Sequence, residues 1–143
     1  MSNEHARRVA PFLVTGVVER GDQRGRTLGM PTANVAVARH AAFPDEGVYA
    51  GVVTLADRSR HPAAVSIGRR PTFYAEGFEL CEAHLLDFDG DLYGQQIEVL
   101  LTHHIRGQVR FDGVDALIQQ MRDDCAIARR SVNVDLDADT LLD

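Results

Sequence analysis

The sequence predicts a mainly β domain, with about six short strands forming a small antiparallel barrel or sandwich and one C-terminal helix packed on it. Three observations predict it. Short β-rich runs recur between turn signals along most of the chain. Strands and helices do not alternate, as they would in a parallel nucleotide-binding sheet. Helical spacing begins only after Phe111, where Val114, Leu117, Ile118, Met121, Cys125 and Ala128 recur at the helical period.

At 143 residues the chain suits one domain with a real core. A hydrophobic content of 45% and a charged content of 25% exclude a disordered chain. No apolar run approaches the ~20 residues of a spanning helix, and Met1 to Arg8 lacks the apolar core of a signal peptide. Cys81 and Cys125 have no metal-ligand spacing. A cytoplasmic protein with reduced thiols and no membrane partner is expected. The net charge of −6 argues against a general nucleic-acid binder. An acidic protein that takes an anionic nucleotide must hold it locally, with a positive loop or a metal.

Taken in order, residues 1–10 read as a flexible polar lead, 11–131 as the barrel and helix, and 132–143 as an acidic tail. Phe12 to Arg20 is β-rich, with Gly16 as a candidate bulge. Val35 to Val37 is short and extended. Gly47 to Ala56 is the clearest strand, apolar on both faces as in a wall covered on both sides. Asp57 to Arg60 is a polar turn and Pro62 to Ile67 its partner strand. Glu79 to Phe88 is a strand whose alternation puts Glu82, His84, Leu86 and Phe88 on one face. Gln95 to His104 places Ile97, Val99 and Leu101 together. Asp112 is the expected N-cap of the helix, with Asp115 in its first turn and Arg129 and Arg130 in its last.

Between the first two strands lies Gly21-Asp22-Gln23-Arg24-Gly25-Arg26-Thr27-Leu28-Gly29-Met30-Pro31-Thr32-Ala33-Asn34. Glycines allow close backbone approach, and successive N–H groups in such a loop form an anion cradle. Arg24 and Arg26 add forked donors. Thr32 and Asn34, two apart on an extended chain, offer neutral oxygens of the kind Mg²⁺ prefers. The stretch is not a Walker A loop: it is one residue short, has Arg in place of Lys, and runs into Pro31 rather than a helix. A phosphate loop and a tight surface turn with a salt-bridged rim both suit it.

Glu82 lies between Cys81 and Ala83, where burial lifts a carboxylate toward the pKa of a general base; an outward-facing Glu on a half-exposed strand is the alternative. Asp87, Asp89, Asp91 and Glu98 mimic the spacing of a calcium loop, but Leu92 stands where Gly is required, so a hairpin turn is expected. His5, His40, His61, His84, His103 and His104 show no zinc spacing. His84 and His103 read as barrel-wall residues. Arg106 to Phe111 is either a charged surface loop or a loop that closes over an anion.

Gly16-Val17-Val18, Gly21, the run Gly25 to Asn34, Gly47-Val48-Tyr49, Ile67-Gly68, Pro71-Thr72-Phe73, Glu82-Ala83-His84, Asp91 to Gly94, Ile105-Arg106, Phe111, Asp124 and Ala128-Arg129 together closely resemble the riboflavin kinase (flavokinase) family. The match runs from about Phe12 to Arg129. The resemblance implies a six-stranded antiparallel Greek-key barrel with a C-terminal helix. The implied activity is transfer of the ATP γ-phosphate to the 5′-hydroxyl of riboflavin to give FMN, with Mg²⁺. Gly21, Gly25 and Arg26 would cradle the phosphates, Thr32 and Asn34 would hold Mg²⁺ with them, and Glu82 would take the hydroxyl proton. Leu85, Asp87 and Tyr93 would lie beside the base and ribose, and Arg106, Val109 and Phe111 would close over the flavin. The implied partners are riboflavin and ATP, and a monomer is expected.

Two departures qualify the resemblance. In bacteria such a kinase usually follows an FMN adenylyltransferase domain, for which 143 residues leave no room; FAD synthesis is not expected from this chain. Gln108 replaces the family's usual acidic residue, and Val109 stands where a basic residue is frequent. A non-catalytic flavin- or nucleotide-binding module, or a kinase for a modified flavin, stays open beside the riboflavin kinase reading.

Overall fold

A computed structural model describes residues 6–19, 32–36, 44–70, 78–109 and 111–132. Among them are six strands, β1 (Arg7–Glu19), β2 (Thr32–Ala36), β3 (Gly47–Thr54), β4 (Arg60–Arg70), β5 (Phe78–Leu85) and β6 (Gln96–Arg106), and then one helix, α1 (Val114–Ser131). The strands close into a barrel in the order β1-β2-β5-β4-β3-β6. Every pairing is antiparallel. The chain leaves β2 without pairing β3, and β5 returns to fill the place beside β2, which makes the path a Greek key.

The period of two along each strand divides the wall into two faces. Val35, Val53, Val65, Ile67, Cys81, Ala83, Leu85, Ile97, Val99 and Leu101 point inward and form the barrel core. Val48, Ala50, Ala64, Leu86 and Ile105 face outward and meet Cys125 and Ala128 of α1 in a second apolar cluster. This explains why β3 is apolar on both faces and buried along its whole length. Ala50 and Ala64, paired across β3 and β4, are small enough to let the helix approach.

Local chemistry fixes the connections that are described. At the β3–β4 turn Ser59 N donates to Asp57 Oδ1 (2.9 Å), while Leu55 N donates to Ser59 O (2.9 Å). Arg58 takes the left-handed conformation that the tight reversal requires, at φ 72°. Asp91 Oδ1 accepts from Tyr93 N (3.0 Å), the turn chemistry expected of Asp there. Among the described residues no group of three or more His, Cys, Asp or Glu side chains is placed to hold a metal.

Several boundaries differ from those expected. Arg7 to Ala10 belong to β1 rather than to a flexible lead, because Arg7 and Arg8 pair with His104 and His103 of β6. The irregularity in β1 falls between Arg8 and Phe12, not at Gly16, whose pairing with Ile97 is in register. Gly16 is needed for a different reason: a Cβ there would run into the backbone oxygen of Ala36 on β2. The N-cap of α1 is Gly113 without a side-chain cap bond, so Asp112 does not cap it. Val132, assigned from the sequence to the tail, is the C-cap and donates its N–H to Ala128 O (3.0 Å). No helix among the described residues is long and apolar enough to cross a membrane.

Candidate active site

The outer faces of β4 and β5 carry polar residues where α1 and the segment after β6 pass over them, and β2 borders β5 on its other side. Registration brings them together. Thr32 and Asn34 of β2 stand opposite His84 and Glu82 of β5. On the other side of β5, Ala64 and Ser66 of β4 stand opposite the same two residues. Ala33, Ala83 and Cys81 point the other way, into the barrel.

A cavity of about 170 Å³ lies in this seam, lined by Glu82, His84, Ser66, Arg106, Gln108, Val109, Phe111 and Asp124, with Leu117 and Met121 of α1 on its apolar side. Glu82 does face outward from the barrel, yet its side chain is only 14% exposed because the seam covers it. His84 is buried beside it. Its Nδ1 lies 3.1 Å from Thr32 Oγ1, and its Nε2 lies 3.7 Å from Glu82 Oε1. Burial pushes the His84 pKa down to about 4, with the Asp124 carboxylate opposing the shift, so the ring is neutral near pH 7.

Arg106 and Asp124 join the last strand to the helix. Arg106 Nε donates to Asp124 Oδ1 (2.9 Å) and its NH2 nitrogen to Oδ2 (2.8 Å), a forked pair. Its remaining nitrogen donates to Gly107 O (3.0 Å), and Gln120 Nε2 donates to Asp124 Oδ1 (3.1 Å). The guanidinium carbon sits 5.8 Å from the centre of the Phe111 ring. Arg106 is therefore a held wall of the cavity rather than a cation waiting to close over an anion. Gln108 Nε2 donates to Ser66 Oγ (3.1 Å) and Ile67 O (2.9 Å), which fastens the segment after β6 to β4. Val109 sits at the rim, largely exposed.

Asn34 Oδ1 is buried and has no hydrogen-bond partner among the described residues. A buried, unpaired amide oxygen is costly. Together with the Thr32 hydroxyl it offers a hard cation the neutral oxygen ligands it prefers, so these two residues fit Mg²⁺.

The other expected site residues lie elsewhere. Leu85 is sealed in the barrel core, so its side chain cannot touch a ligand on the outer wall. Asp87 is at φ 56° and accepts from Arg129 NH1 at both oxygens (2.9 and 2.7 Å). Tyr93 is exposed and does not line the cavity. Gly21, Gly25 and Arg26 lie outside the described residues. Sequence reasoning missed His84, Ser66 and the anchoring of Gln108, and gave Asp124 no role. For His84 a signal existed: alternation already put it on the face of Glu82.

Comparison with known proteins bears on this geometry. Residues 9–132 match the family model for riboflavin kinase, the flavokinase family. The chain is 43% identical over 119 residues to the bifunctional riboflavin kinase/FMN adenylyltransferase of Escherichia coli (strain K12), covering 83% of this chain and 37% of that protein. It is 36% identical over 116 residues to the bifunctional enzyme of the same name in Bacillus subtilis (strain 168), covering 80% of this chain and 36% of that protein. The chain thus spans under two fifths of the length of these relatives. Among solved structures, a riboflavin kinase from Trypanosoma brucei superposes with a TM-score of 0.63 at 25% identity, over 88% of this chain and 81% of that one. A macrolide-efflux protein from Streptococcus pneumoniae superposes with a TM-score of 0.77 at 34% identity, over 85% of this chain and 40% of that one. With nearly the whole described barrel and its helix inside the matched span, the chain belongs to the riboflavin kinase (flavokinase) family.

Proposed function

We propose that this chain transfers the γ-phosphate of ATP to the 5′-hydroxyl of riboflavin, giving ADP and FMN. The observation that carries the reading is the pairing of Glu82 with Asn34 across β5 and β2. It sets a carboxylate in the wall of a cavity, on the residue paired across the strands with Asn34, whose buried amide oxygen has no partner among the described residues.

Phosphoryl transfer leaves a protein little covalent work; it needs positioning, charge neutralisation and an oriented nucleophile. Glu82 orients the ribityl hydroxyl and accepts its proton as the new O–P bond forms and the bond to the ADP oxygen breaks. The acceptor enters the cavity between α1 and the outer wall, where Leu117, Met121 and Phe111 supply apolar surface and Arg106 is fixed by Asp124. Thr32 and Asn34 would hold Mg²⁺, which when bound neutralises phosphate charge. The glycine-rich segment from Gly21 through Gly25 and Arg26 supplies amides and a guanidinium to the phosphates on this reading.

Incubation of the purified chain with riboflavin, ATP and Mg²⁺, followed by chromatography, tests the proposal. FMN that appears in proportion to protein is the expected result. Flavin binding, seen as quenched flavin fluorescence, without any FMN would replace the kinase reading with that of a binding module. FMN-like product formed only from a substituted flavin would move the acceptor assignment, in line with the Gln108 and Val109 departures at the rim.

A further inference from the structure

Among the described residues, His84 is a buried polar side chain that lies against both Thr32 and Glu82. We propose that it is a positioning residue that fixes the direction of the hydrogen bond at Thr32, leaving the Thr32 oxygen as a cation ligand and not a donor to phosphate. This rests on the placement of Thr32 and Glu82 in the proposed function.

Donors and acceptors at the imidazole ring decide the direction of this bond. A neutral imidazole carries one N–H. Its Nε2 faces the Glu82 carboxylate at 3.7 Å, longer than a hydrogen bond, while its Nδ1 is at hydrogen-bond distance from Thr32 Oγ1, 3.1 Å. If the proton sat on Nδ1, the bare Nε2 lone pair would face the Glu82 carboxylate. With the proton on Nε2 the N–H points at Glu82, and contacts of this kind tighten when substrate fills an apo site. Nδ1 is then an acceptor, and the single hydroxyl hydrogen of Thr32 is committed to it. The Thr32 oxygen keeps its lone pairs for an electropositive partner. It has no hydrogen left to give a phosphate oxygen, which is itself an acceptor.

The position is rigidly specified. His84 is 7% exposed, held by the β2–β5 register opposite Thr32 and by the β4–β5 register opposite Ala64. Two residues away on the same face, Asn34 and Glu82 form the adjoining cross-strand pair. His84 thereby couples a ligand oxygen on β2 to the carboxylate on β5 without touching the reacting atoms.

Nitrogen-15 NMR of the ring in the full chain at pH 7 reads the tautomer directly and needs no turnover. A proton on Nε2 is expected; a proton on Nδ1 overturns the proposal. Two substitutions then separate the halves. His84→Asn keeps an oxygen near the Nδ1 position and loses the contact to Glu82. His84→Gln reaches toward Glu82 and loses the acceptor for Thr32. Calorimetric titration of the chain plus ADP with Mg²⁺ is expected to show affinity weakened about tenfold in His84→Gln and near wild type in His84→Asn. Turnover at saturating Mg²⁺ is expected to fall about tenfold in His84→Asn. Equal losses of Mg²⁺ affinity in both variants would reduce His84 to a packing residue. Should the chain make no FMN, the tautomer and the Mg²⁺ titration still decide this proposal, so its failure is separable from that of the kinase reading.

Discussion

Successive residues of β5 contrast the two sides of one wall. Cys81, Ala83 and Leu85 point inward, each fully buried among side chains that ask only for volume and apolarity. Glu82 and His84 point outward beneath α1, where nearly every contact depends on a second element arriving in register: β2 for Thr32 and Asn34, β4 for Ser66, β6 and α1 for Arg106 and Asp124. The inner face fixes the shape of the barrel. The outer seam uses that shape to hold costly groups in place: a carboxylate, a neutral histidine, an ion pair and an amide oxygen with no partner among the described residues. The interior stabilises the fold, and the seam spends part of that stability on placement.

The sharpest way to break this contrast is to alter one residue on each face. Glu82→Gln is expected to lower riboflavin phosphorylation by about 10²- to 10⁴-fold, the range for removing a general base, with the urea midpoint of unfolding nearly unchanged. Leu101→Ala, in the barrel interior, is expected to cost about 2–5 kcal/mol of stability while leaving the KM for riboflavin near wild type at a temperature where the variant stays folded. Comparable loss of turnover in both, or wild-type turnover in Glu82→Gln, would remove Glu82 from the chemistry.

The same contrast explains what could be read from the sequence. Period-two alternation is a local signal, so the inward sets Ile97-Val99-Leu101 and the doubly apolar β3 were legible, as was the helix from its recurring apolar positions. The start of β1 was not, because Arg7 and Arg8 look like a polar lead until His103 and His104, far along the chain, pair with them. The seam was legible only in part. Alternation placed Glu82 and His84 on one face, but that His84 meets Thr32 depends on the pairing of two strands distant in sequence. The forked bond from Arg106 to Asp124 depends on how α1 docks, which helical spacing alone does not encode. Leu85 was assigned to the ligand from the family resemblance, although its own alternation with Glu82 puts it on the opposite face.

Asp124 tests whether the seam is kept for stability. Its side chain is 4% exposed and neutralises Arg106, itself 18% exposed. Asp124→Ala strands a guanidinium in the seam, and removal of one partner of a buried pair costs about 3–5 kcal/mol. Replacing both, as Arg106→Met with Asp124→Leu, is expected to recover most of that stability and none of the riboflavin affinity, measured by fluorescence quenching. Recovery of both would make the pair a structural clamp with no part in shaping the acceptor cavity.

The neutral His84 gives the seam a pH signature that the apolar interior lacks. In the unfolded chain the ring takes up a proton below about pH 6.5; in the fold burial holds its pKa down to about 4. Between those values the unfolded state binds more protons, so stability falls as pH drops through the window and the contribution is fully present only above it. The span corresponds to roughly 3 kcal/mol at most. Urea unfolding of the apo protein at pH 7 and pH 4.5 measures it, with His84→Gln as the control whose pH slope is expected to be shallower. His103, whose pKa is also lowered by burial, supplies a background common to both proteins. Identical slopes would mean that the ring is charged in the fold.

The smallest expected effect lies where the seam meets solvent. Gln108 fastens the segment after β6 to β4 through Ser66 Oγ and Ile67 O, close over Gly68, where an added Cβ would lie 3.6 Å from the Gln108 amide nitrogen. A net hydrogen bond contributes about 0.5–1.5 kcal/mol, so Gln108→Ala is expected to speed amide exchange across 107–109 by roughly 2- to 10-fold. Exchange at Val65, Val99 and Leu101, in strands buried in the interior, is expected to stay as in wild type. Gly68→Ala is the benign control, since its Cβ would only come into ordinary van der Waals contact with that amide. If Gln108→Ala slows exchange or leaves it unchanged at 107–109, the segment is held by Arg106 and its bond to Gly107 O rather than by Gln108, and the cavity's outer edge belongs to the ion pair instead of the amide.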